Sequence, residues 1–173
     1  MIILIGESGT GKTAILNELE KIGYEKVVNY TTRKKRNKED NEYKFITKKE
    51  LEKKWENNKL IQKAEFGNEF YGMGIESLKE NVVGISIVES VEDIKNKIKE
   101  LKLHINLKCF YIYTSEEIRK ERMKKRGESE ESIKKRIEID KEKFKNVEKV
   151  ADYVVENREV KDAVKNILEK ARI

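Results

Sequence analysis

The residues best suited to chemistry stand near the start of the chain, in the segment GESGTGKT. It fits the pattern G-x-x-x-x-G-K-[ST] through Gly6, Gly11, Lys12 and Thr13. Glycines let the backbone curl so that successive N–H groups point at phosphate oxygens, and a helix that begins there adds the positive end of its dipole. In such a loop Lys12 would bridge the β- and γ-phosphates of a nucleoside triphosphate, and the Thr13 hydroxyl would ligate Mg²⁺.

The residues on either side supply the context that this loop needs. The apolar run MIILI before it is typical of a buried strand, and Ile15, Leu16, Leu19 and Ile22 after it share one helical face. A strand, a glycine-rich loop and a helix in this order favour phosphate binding. A plain strand-to-helix turn would leave the Lys-Thr pair as a coincidence.

A second candidate anion site lies in the segment YTTRKKRNKEDNEY. Arg33 and Arg36 follow two threonines, and Tyr43 ends the segment. A guanidinium group can grip two phosphate oxygens, and a tyrosine hydroxyl can complete the shell around them. The alternative is a solvated basic loop without a ligand.

A third basic segment, RMKKRGESEESIKKR, carries Arg122, Arg126 and Arg136 around Gly127. Arginines on both sides of a hinge suit a lid that closes over a triphosphate and excludes water. An ordinary charged helical hairpin has the same pattern.

These sites must be positioned by a scaffold, and short apolar runs alternate along the chain with helical patterns. Strands are predicted at 2–5, 26–29, 43–46, 81–88, 109–113 and 151–155, and helices after the loop, from Thr47, from Ser90, from Thr114, over 131–150 and over 160–171. Thr47 and Ser90 are read as capping residues, and Leu51 and Trp55 as core. The pattern predicts an α/β fold with a parallel sheet flanked by helices.

The totals limit the function classes. The chain has 173 residues, 42% of them charged, and 39 basic residues interleave with 33 acidic ones. Interleaved charge argues against a nucleic-acid surface, and the first apolar stretch is too short for a membrane span. Cys109 is expected to be buried and His104 structural or exposed. We therefore expect a cytoplasmic protein, monomeric or homodimeric, without nucleic-acid or membrane partners.

Together these segments resemble the guanylate kinases, which are P-loop nucleoside monophosphate kinases. The resemblance spans nearly the whole chain in the family's order, and it is carried by GESGTGKT, TTRKKR, YKF at 43–45, YG at 71–72, RMKKRGESEESIKKR and DYVVEN at 152–157. It implies a single domain over 1–173 of the P-loop NTPase type. The core would comprise 1–29 and 80–173, with an acceptor-binding insertion at about 30–79 and a lid at about 122–140.

The resemblance also implies residue roles. ATP would be held by Gly6, Ser8, Gly9, Thr10, Gly11, Lys12, Thr13, Ala14, Arg126 and Asn157, with Asn157 bordering the adenine and Thr13 on Mg²⁺. The acceptor would meet Arg33, Arg36, Tyr43, Gln62, Tyr71 and Met73. The catalytic set would be Lys12, Arg33, Arg122, Arg126 and Arg136.

The chain departs from the family pattern at Lys35, which replaces the proline of T-T-R-x-P-R, and at three features of the base-reading half. Gln62 stands where the family has a guanine-reading glutamate, and Met73 where it has a serine or threonine. The family's D-x-D carboxylates have no clear match; Glu89, Ser90 and Asp93 lie nearest. The groups expected to grip phosphate are therefore present, and those that read guanine are altered.

The resulting prediction is ATP-dependent phosphoryl transfer to a nucleoside monophosphate, with GMP or dGMP favoured, giving ADP and a nucleoside diphosphate. Two alternatives stay open: a kinase for another nucleotide or phosphorylated small molecule, and a non-catalytic guanylate kinase-like interaction module. A nucleic-acid-binding ATPase is disfavoured by the interleaved charges.

Overall fold

A computed structural model of the protein describes residues 1–35, 43–66 and 68–172. Within these ranges the strands are β1 (Ile2–Ile5), β2 (Glu25–Lys26), β3 (Asn29–Thr31), β4 (Lys44–Phe45), β5 (Leu60–Phe66), β6 (Glu69–Gly74), β7 (Val82–Ile85), β8 (Lys108–Tyr113) and β9 (Tyr153–Glu156). The helices are α1 (Lys12–Lys21), α2 (Lys48–Glu56), α3 (Ser90–Glu100), α4 (Glu116–Lys125), α5 (Glu130–Lys143) and α6 (Val160–Ala171). Short 3₁₀ turns lie at Ile75–Ser77 and Val147–Lys149.

The main sheet is parallel, with strand order β2–β7–β1–β8–β9. Its central strand β1 is buried on both faces. Ile3 and Ile5 pack into a core cluster with residues of α3, while Ile2 and Leu4 pack on the other face with residues of α1 and α6. Burial on both faces explains the continuous apolar run of β1. The predicted α/β class with flanking helices is confirmed.

A second sheet, with strand order β4–β3–β6–β5, occupies the predicted insertion. The sequence predicted one strand at 26–29, and this was wrong. The Val27 N–H donates to the Val83 carbonyl in the main sheet (3.0 Å), whereas the Val28 carbonyl accepts from Gly74 N–H in the second (2.8 Å). The chain therefore passes from one sheet to the other between these two valines.

The antiparallel pair β5 and β6 was not predicted from the sequence. A register shift lies between Leu60 and Gln62, so the pairing is irregular at the start of β5. A bulge of this kind breaks the period-two alternation by which a strand is read from its sequence.

Helix ends gave mixed outcomes. The capping box at Thr47 is confirmed, since its hydroxyl accepts from the Glu50 N–H and the Glu50 carboxylate accepts from the Thr47 N–H. The box at Ser90 was wrong, because α3 begins at that residue with Glu89 at its N-cap. Helix α5 ends at Lys143, earlier than the predicted 150.

Two predictions about burial divide in the same way. Leu51 is fully buried, as expected, but Trp55 is 42% exposed and lies near the Lys63 ammonium, 5.7 Å from its ring centroid. The amphipathic body of tryptophan tolerates this surface position. Cys109 is buried in the main core, as expected, and His104 is exposed.

Candidate active site

The glycine-rich loop leaves the carboxyl end of β1 and runs into α1. Gly9 and Gly11 adopt φ values of 83° and 89°, a region that residues with a side chain rarely occupy. A Cβ atom on Gly9 would lie 2.9 Å from the Arg119 carbonyl oxygen, and one on Gly11 would collide with the Asn157 amide. The curled shape of the loop therefore requires glycine at both positions.

Lys12 folds back across the interior of this loop. Its ammonium donates to the carbonyl oxygens of Gly6 (2.6 Å) and Glu7 (2.9 Å). Burial lowers the pKa of Lys12 to about 8, although the negative charges of Asp140 and Glu7 oppose that shift. The next residue, Thr13, lies exposed in the first turn of α1. The loop thus presents a cation and a hydroxyl beside a helix N-terminus, which is the donor set that a polyphosphate with its counter-ion requires.

Two predicted site residues contact the loop backbone at Thr10. The fully buried Asn157 donates its amide N–H to the Thr10 carbonyl (2.7 Å). Arg122 donates to the same carbonyl (3.3 Å) and to the carbonyls of Asn157 and Arg158 (3.1 Å each). The sequence prediction put Arg122 in the lid and Asn157 beside adenine. In the structure both side chains join the loop to the end of β9.

A buried ionic cluster also contacts the loop, and the sequence did not reveal it. Arg119 of α4 pairs with Glu7 (3.1 Å) and with Asp140 of α5 (2.9 Å), and it donates to the Ser8 carbonyl (2.8 Å). Asp140 accepts from the Ser8 N–H (2.8 Å), and the Tyr111 hydroxyl donates to Glu7 (2.7 Å). Burial and this bond raise the pKa of Tyr111.

The two remaining lid arginines meet at one carboxylate. Arg126 Nη2 lies 3.1 Å from Glu128 Oε1, and Arg136 Nε lies 3.2 Å from Glu128 Oε2. Both arginine side chains are more than half exposed. Besides burial, the positive charges of Arg119 and, to a smaller extent, Arg126 lower the pKa of Lys12.

Two predicted acceptor residues, Tyr43 just before β4 and Tyr71 of β6, come together in the second sheet. The rings of Tyr43 and Tyr71 meet edge to face with centroids 5.7 Å apart. The Arg33 guanidinium lies 5.5 Å from the Tyr43 ring centroid and 5.3 Å from that of Phe45. Arg36, the other arginine predicted here, lies outside the described residues.

Gln62 and Met73 are partners across β5 and β6. Met73 is buried in the main core cluster. Lys63, which follows Gln62 in β5, pairs with Glu52 of α2 at 2.8 Å. Because neighbouring side chains of a strand point to opposite faces, Gln62 points away from α2. Gln62 Oε1 is buried and has no hydrogen-bond partner within the described ranges. An amide in that state suits a site that a ligand completes.

The residues nearest to the missing D-x-D carboxylates lie at the start of α3. Glu89 is its N-cap, and Ser90 and Asp93 belong to its first turn. Acidic groups there complement the helix dipole, so this position has a structural explanation of its own. The buried Ser86 hydroxyl, just beyond β7, has no partner in the described part of the chain.

Comparisons with known proteins agree on one family. The family model for guanylate kinase matches residues 1–171. The guanylate kinase of Onion yellows phytoplasma (strain OY-M) is 31% identical over 176 residues, covering 97% of this chain and 82% of that protein. The guanylate kinase of Wolbachia sp. subsp. Brugia malayi (strain TRS) is 30% identical over 183 residues, covering 100% of this chain and 93% of that protein.

Solved structures show the same fold. The crystal structure of guanylate kinase from Anaplasma phagocytophilum aligns with a TM-score of 0.70 at 19% identity, covering 99% of this chain and 84% of that one. Shikimate kinase from Acinetobacter baumannii aligns with a TM-score of 0.53 at 15% identity, covering 98% of this chain and 90% of that one. At these identities the likeness concerns the fold alone.

Proposed function

The chain belongs to the guanylate kinase family, and on that premise we propose that it transfers the γ-phosphoryl group of ATP to a nucleoside monophosphate. The products are ADP and a nucleoside diphosphate, and GMP and dGMP are the favoured acceptors. The observation that carries the proposal is the complete phosphate loop, with Lys12 folded into its interior. An interaction module without catalysis has no use for that loop.

The chain's own residues supply binding and charge compensation. The loop N–H groups and Lys12 hold the ATP phosphates, and Arg33, Tyr43 and Tyr71 hold the acceptor phosphate. During transfer, Arg126 and Arg136 move from their contacts with Glu128 to the negative charge that develops on the phosphoryl group. A phosphate oxygen of the acceptor is the attacking group, so the site needs alignment and exclusion of water more than a strong base.

Magnesium fits the residues present. Mg²⁺ keeps several waters and takes substrate phosphates with only one or two protein oxygens. The Thr13 hydroxyl, exposed in the first turn of α1, is a donor of that kind. Within the described ranges, no group of three or more histidine, cysteine, aspartate or glutamate side chains could hold a metal ion by itself. Thr13 would hold the ion, which would supply charge neutralisation to the ATP phosphates.

A coupled assay of ADP release tests the proposal. ATP and Mg²⁺ are offered with GMP, dGMP, AMP, CMP, UMP and dTMP, and Lys12→Ala is the blank. We expect turnover with GMP and dGMP well above that with the other monophosphates. ATP binding without acceptor-dependent ADP release would contradict the kinase assignment. Failure to bind ATP in a calorimetric titration would favour the interaction module.

The side-chain oxygen of Gln62, which has no hydrogen-bond partner among the described residues, favours a second candidate, a kinase for a different nucleotide or phosphorylated small molecule. Guanine presents two adjacent N–H donors to a glutamate, whereas an amide offers one acceptor and one donor. Gln62 therefore complements a base edge with one donor and one acceptor, and Met73 adds no polar group. The same acceptor panel distinguishes the candidates by which nucleotide turns over fastest.

A carboxylate at position 62 tests the candidates directly. If Gln62 reads the base, Gln62→Glu raises the ratio of GMP turnover to that with the preferred other nucleotide, by about tenfold for one restored hydrogen bond. The matched control is Lys63→Gln on the opposite face of β5, which should leave the ratio unchanged. An unchanged ratio in Gln62→Glu would show that Gln62 does not contact the base of the acceptor.

The remaining sequence predictions are part of the same proposal. We propose a single domain with an acceptor-binding insertion at about 30–79 and a lid at about 122–140, and a cytoplasmic monomer or homodimer without nucleic-acid partners. The described part of the chain holds no helix long and apolar enough to cross a bilayer. Light scattering after size exclusion distinguishes monomer from dimer. ATP hydrolysis stimulated by nucleic acid would contradict the proposal that the protein has no nucleic-acid partner.

A further inference from the structure

The ionic cluster of Arg119, Glu7 and Asp140 has no part in the chemistry proposed above. We infer that Arg119 is a positioning residue: through its pairs with Glu7 and Asp140 it fixes α4, the helix whose C-terminal end carries Arg126. The inference rests on the proposed function, in which Arg126 acts during transfer. It concerns a role that the sequence did not indicate.

The cluster joins three segments that are distant in the chain. Arg119 comes from α4, Asp140 from α5 and Glu7 from the loop, and their side chains are 6%, 11% and 14% exposed. Arg119 and Asp140 therefore pin both stems of the helical hairpin to the loop. Between these two residues the chain carries Arg126 and Arg136.

One loop peptide is fixed from both directions. The Ser8 carbonyl accepts from Arg119 Nε, and the Ser8 N–H donates to Asp140 Oδ2, each at 2.8 Å. The Arg119 backbone also packs against Gly9, at the distance where a Cβ would collide. Rotation or sliding of α4 would break these contacts, so the position of α4 and the shape of the loop depend on each other.

Helical spacing carries this anchoring along α4. Arg119, Arg122 and Arg126 are related as i, i+3 and i+7, which places them on one side of the helix over about two turns. Arg119 holds the loop at Ser8, and Arg122 holds it at Thr10. Arg126 is the next member of the row and lies at the C-cap of α4.

A purely stabilising role would not require these charges. Buried ion clusters can often be replaced by uncharged residues of similar volume at no loss of stability, whereas removal of one partner leaves costly unpaired charge. A neutral replacement of the whole cluster therefore separates stability from positioning. It keeps the fold and removes the fork by which a guanidinium grips two carboxylates and a carbonyl at once.

A double-mutant cycle in kcat tests the inference, with saturating ATP, Mg²⁺ and the best acceptor. We expect Arg119→Met and Arg126→Ala each to lower kcat at least tenfold. We expect the double variant to fall no more than about twofold below Arg126→Ala, because the effect of Arg119 passes through Arg126. Effects that multiply in the double variant would overturn the inference, as would an unchanged kcat in either single variant.

The control for loss of folding is the triple variant Glu7→Gln, Arg119→Met, Asp140→Asn. It keeps side-chain oxygens that can accept from the Ser8 N–H and the Tyr111 hydroxyl. We expect its melting temperature to recover relative to Arg119→Met while kcat stays low. Recovery of wild-type kcat would make the cluster structural and overturn the inference. Lys95→Met, which removes a partly buried pair with Asp152 away from the loop, should keep kcat within twofold.

Different results would contradict the proposed function and the positioning role of Arg119. A wild-type protein without acceptor-dependent turnover contradicts the proposed function itself. A wild-type protein that turns over, with an impaired Arg126→Ala variant and a multiplicative cycle, contradicts only the positioning role of Arg119.

Discussion

The phosphate loop and the acceptor insertion differ in how their polar groups are partnered. Around the loop, the protein itself binds the backbone N–H and carbonyl of Ser8, the carbonyl of Thr10 and the Lys12 ammonium. In the insertion, the side-chain amide oxygen of Gln62 is buried without a partner in the described ranges. Its cross-strand neighbour Met73 is apolar and belongs to the core.

This difference separates two tasks of the enzyme. Phosphate is the same in every nucleotide, so a loop whose shape the protein itself fixes can be complete before any ligand arrives. A base differs between nucleotides, and the group that reads it must leave a hydrogen bond to be completed by the ligand. In the proposed function the loop accordingly supports the class of reaction, and position 62 bears on the choice of substrate.

The largest effect should come from the loop. Lys12→Ala removes the cation inside the loop, and we expect kcat/KM to fall by about 10²–10³-fold with every acceptor, since a preorganised charge donor of this kind contributes that much to transfer. Steady-state kinetics measures it. Lys21→Ala, at the exposed end of the same helix, is the control. A loss of kcat/KM confined to one acceptor would contradict a role of Lys12 that is the same for every acceptor.

A smaller and more selective effect is expected in the insertion. Arg33→Met removes a guanidinium from the Tyr43 and Tyr71 cluster, and we expect the acceptor KM to rise about 10–100-fold, the value of one charged hydrogen bond. The KM for ATP should change less than twofold. Lys44→Met, a cation over the Tyr30 ring in the same sheet, is the control. A rise in the ATP KM alone would reverse the assignment of the two regions.

Glu128 should act in the opposite direction. Its carboxylate holds Arg126 and Arg136 together, so Glu128→Gln releases both for phosphate. Because these arginines are largely exposed, we expect only a twofold to fivefold fall in the KM for ATP. Glu130→Gln, which breaks an exposed pair with Lys124, should leave the KM unchanged. A higher KM in Glu128→Gln would mean that the carboxylate positions the arginines productively.

The last effect is on stability rather than on catalysis, and it concerns Cys109 in the main core. Burial raises the pKa of Cys109 to about 12 from an ordinary value of 9.0. A raised folded pKa means that the thiol's contribution to stability is complete below pH 9 and is lost as the pH rises toward 12. The free energy of unfolding of the wild type should therefore fall more steeply with pH in that window than that of Cys109→Ala. Parallel pH profiles would show that the thiol ionises as readily in the folded protein.

The phosphate loop and the fold class were predictable because their signals are local. Eight consecutive residues define the loop, and the apolar strand before it and the helical face after it lie within ten residues on either side. The central strand reads as a continuous apolar run since both of its faces are buried. Arg33 and Tyr43 lie in one basic segment, but Tyr71 could be joined to them only through the family resemblance, because a basic loop alone has no ligand signature.

Only the tertiary structure decided the environment of α4. Eight of its ten residues are charged, and such a helix reads as solvated. Burial of Arg119 requires carboxylates from Glu7 and Asp140, which lie 112 positions before it and 21 after it. The passage of the chain between sheets after Val27 likewise depends on partners more than 40 positions away. Sequence patterns determine which segments are strand, helix or loop, whereas the packed fold determines how distant charges and backbone groups pair. Each such pair is stable only when a partner that folding brings into contact offsets the cost of desolvation.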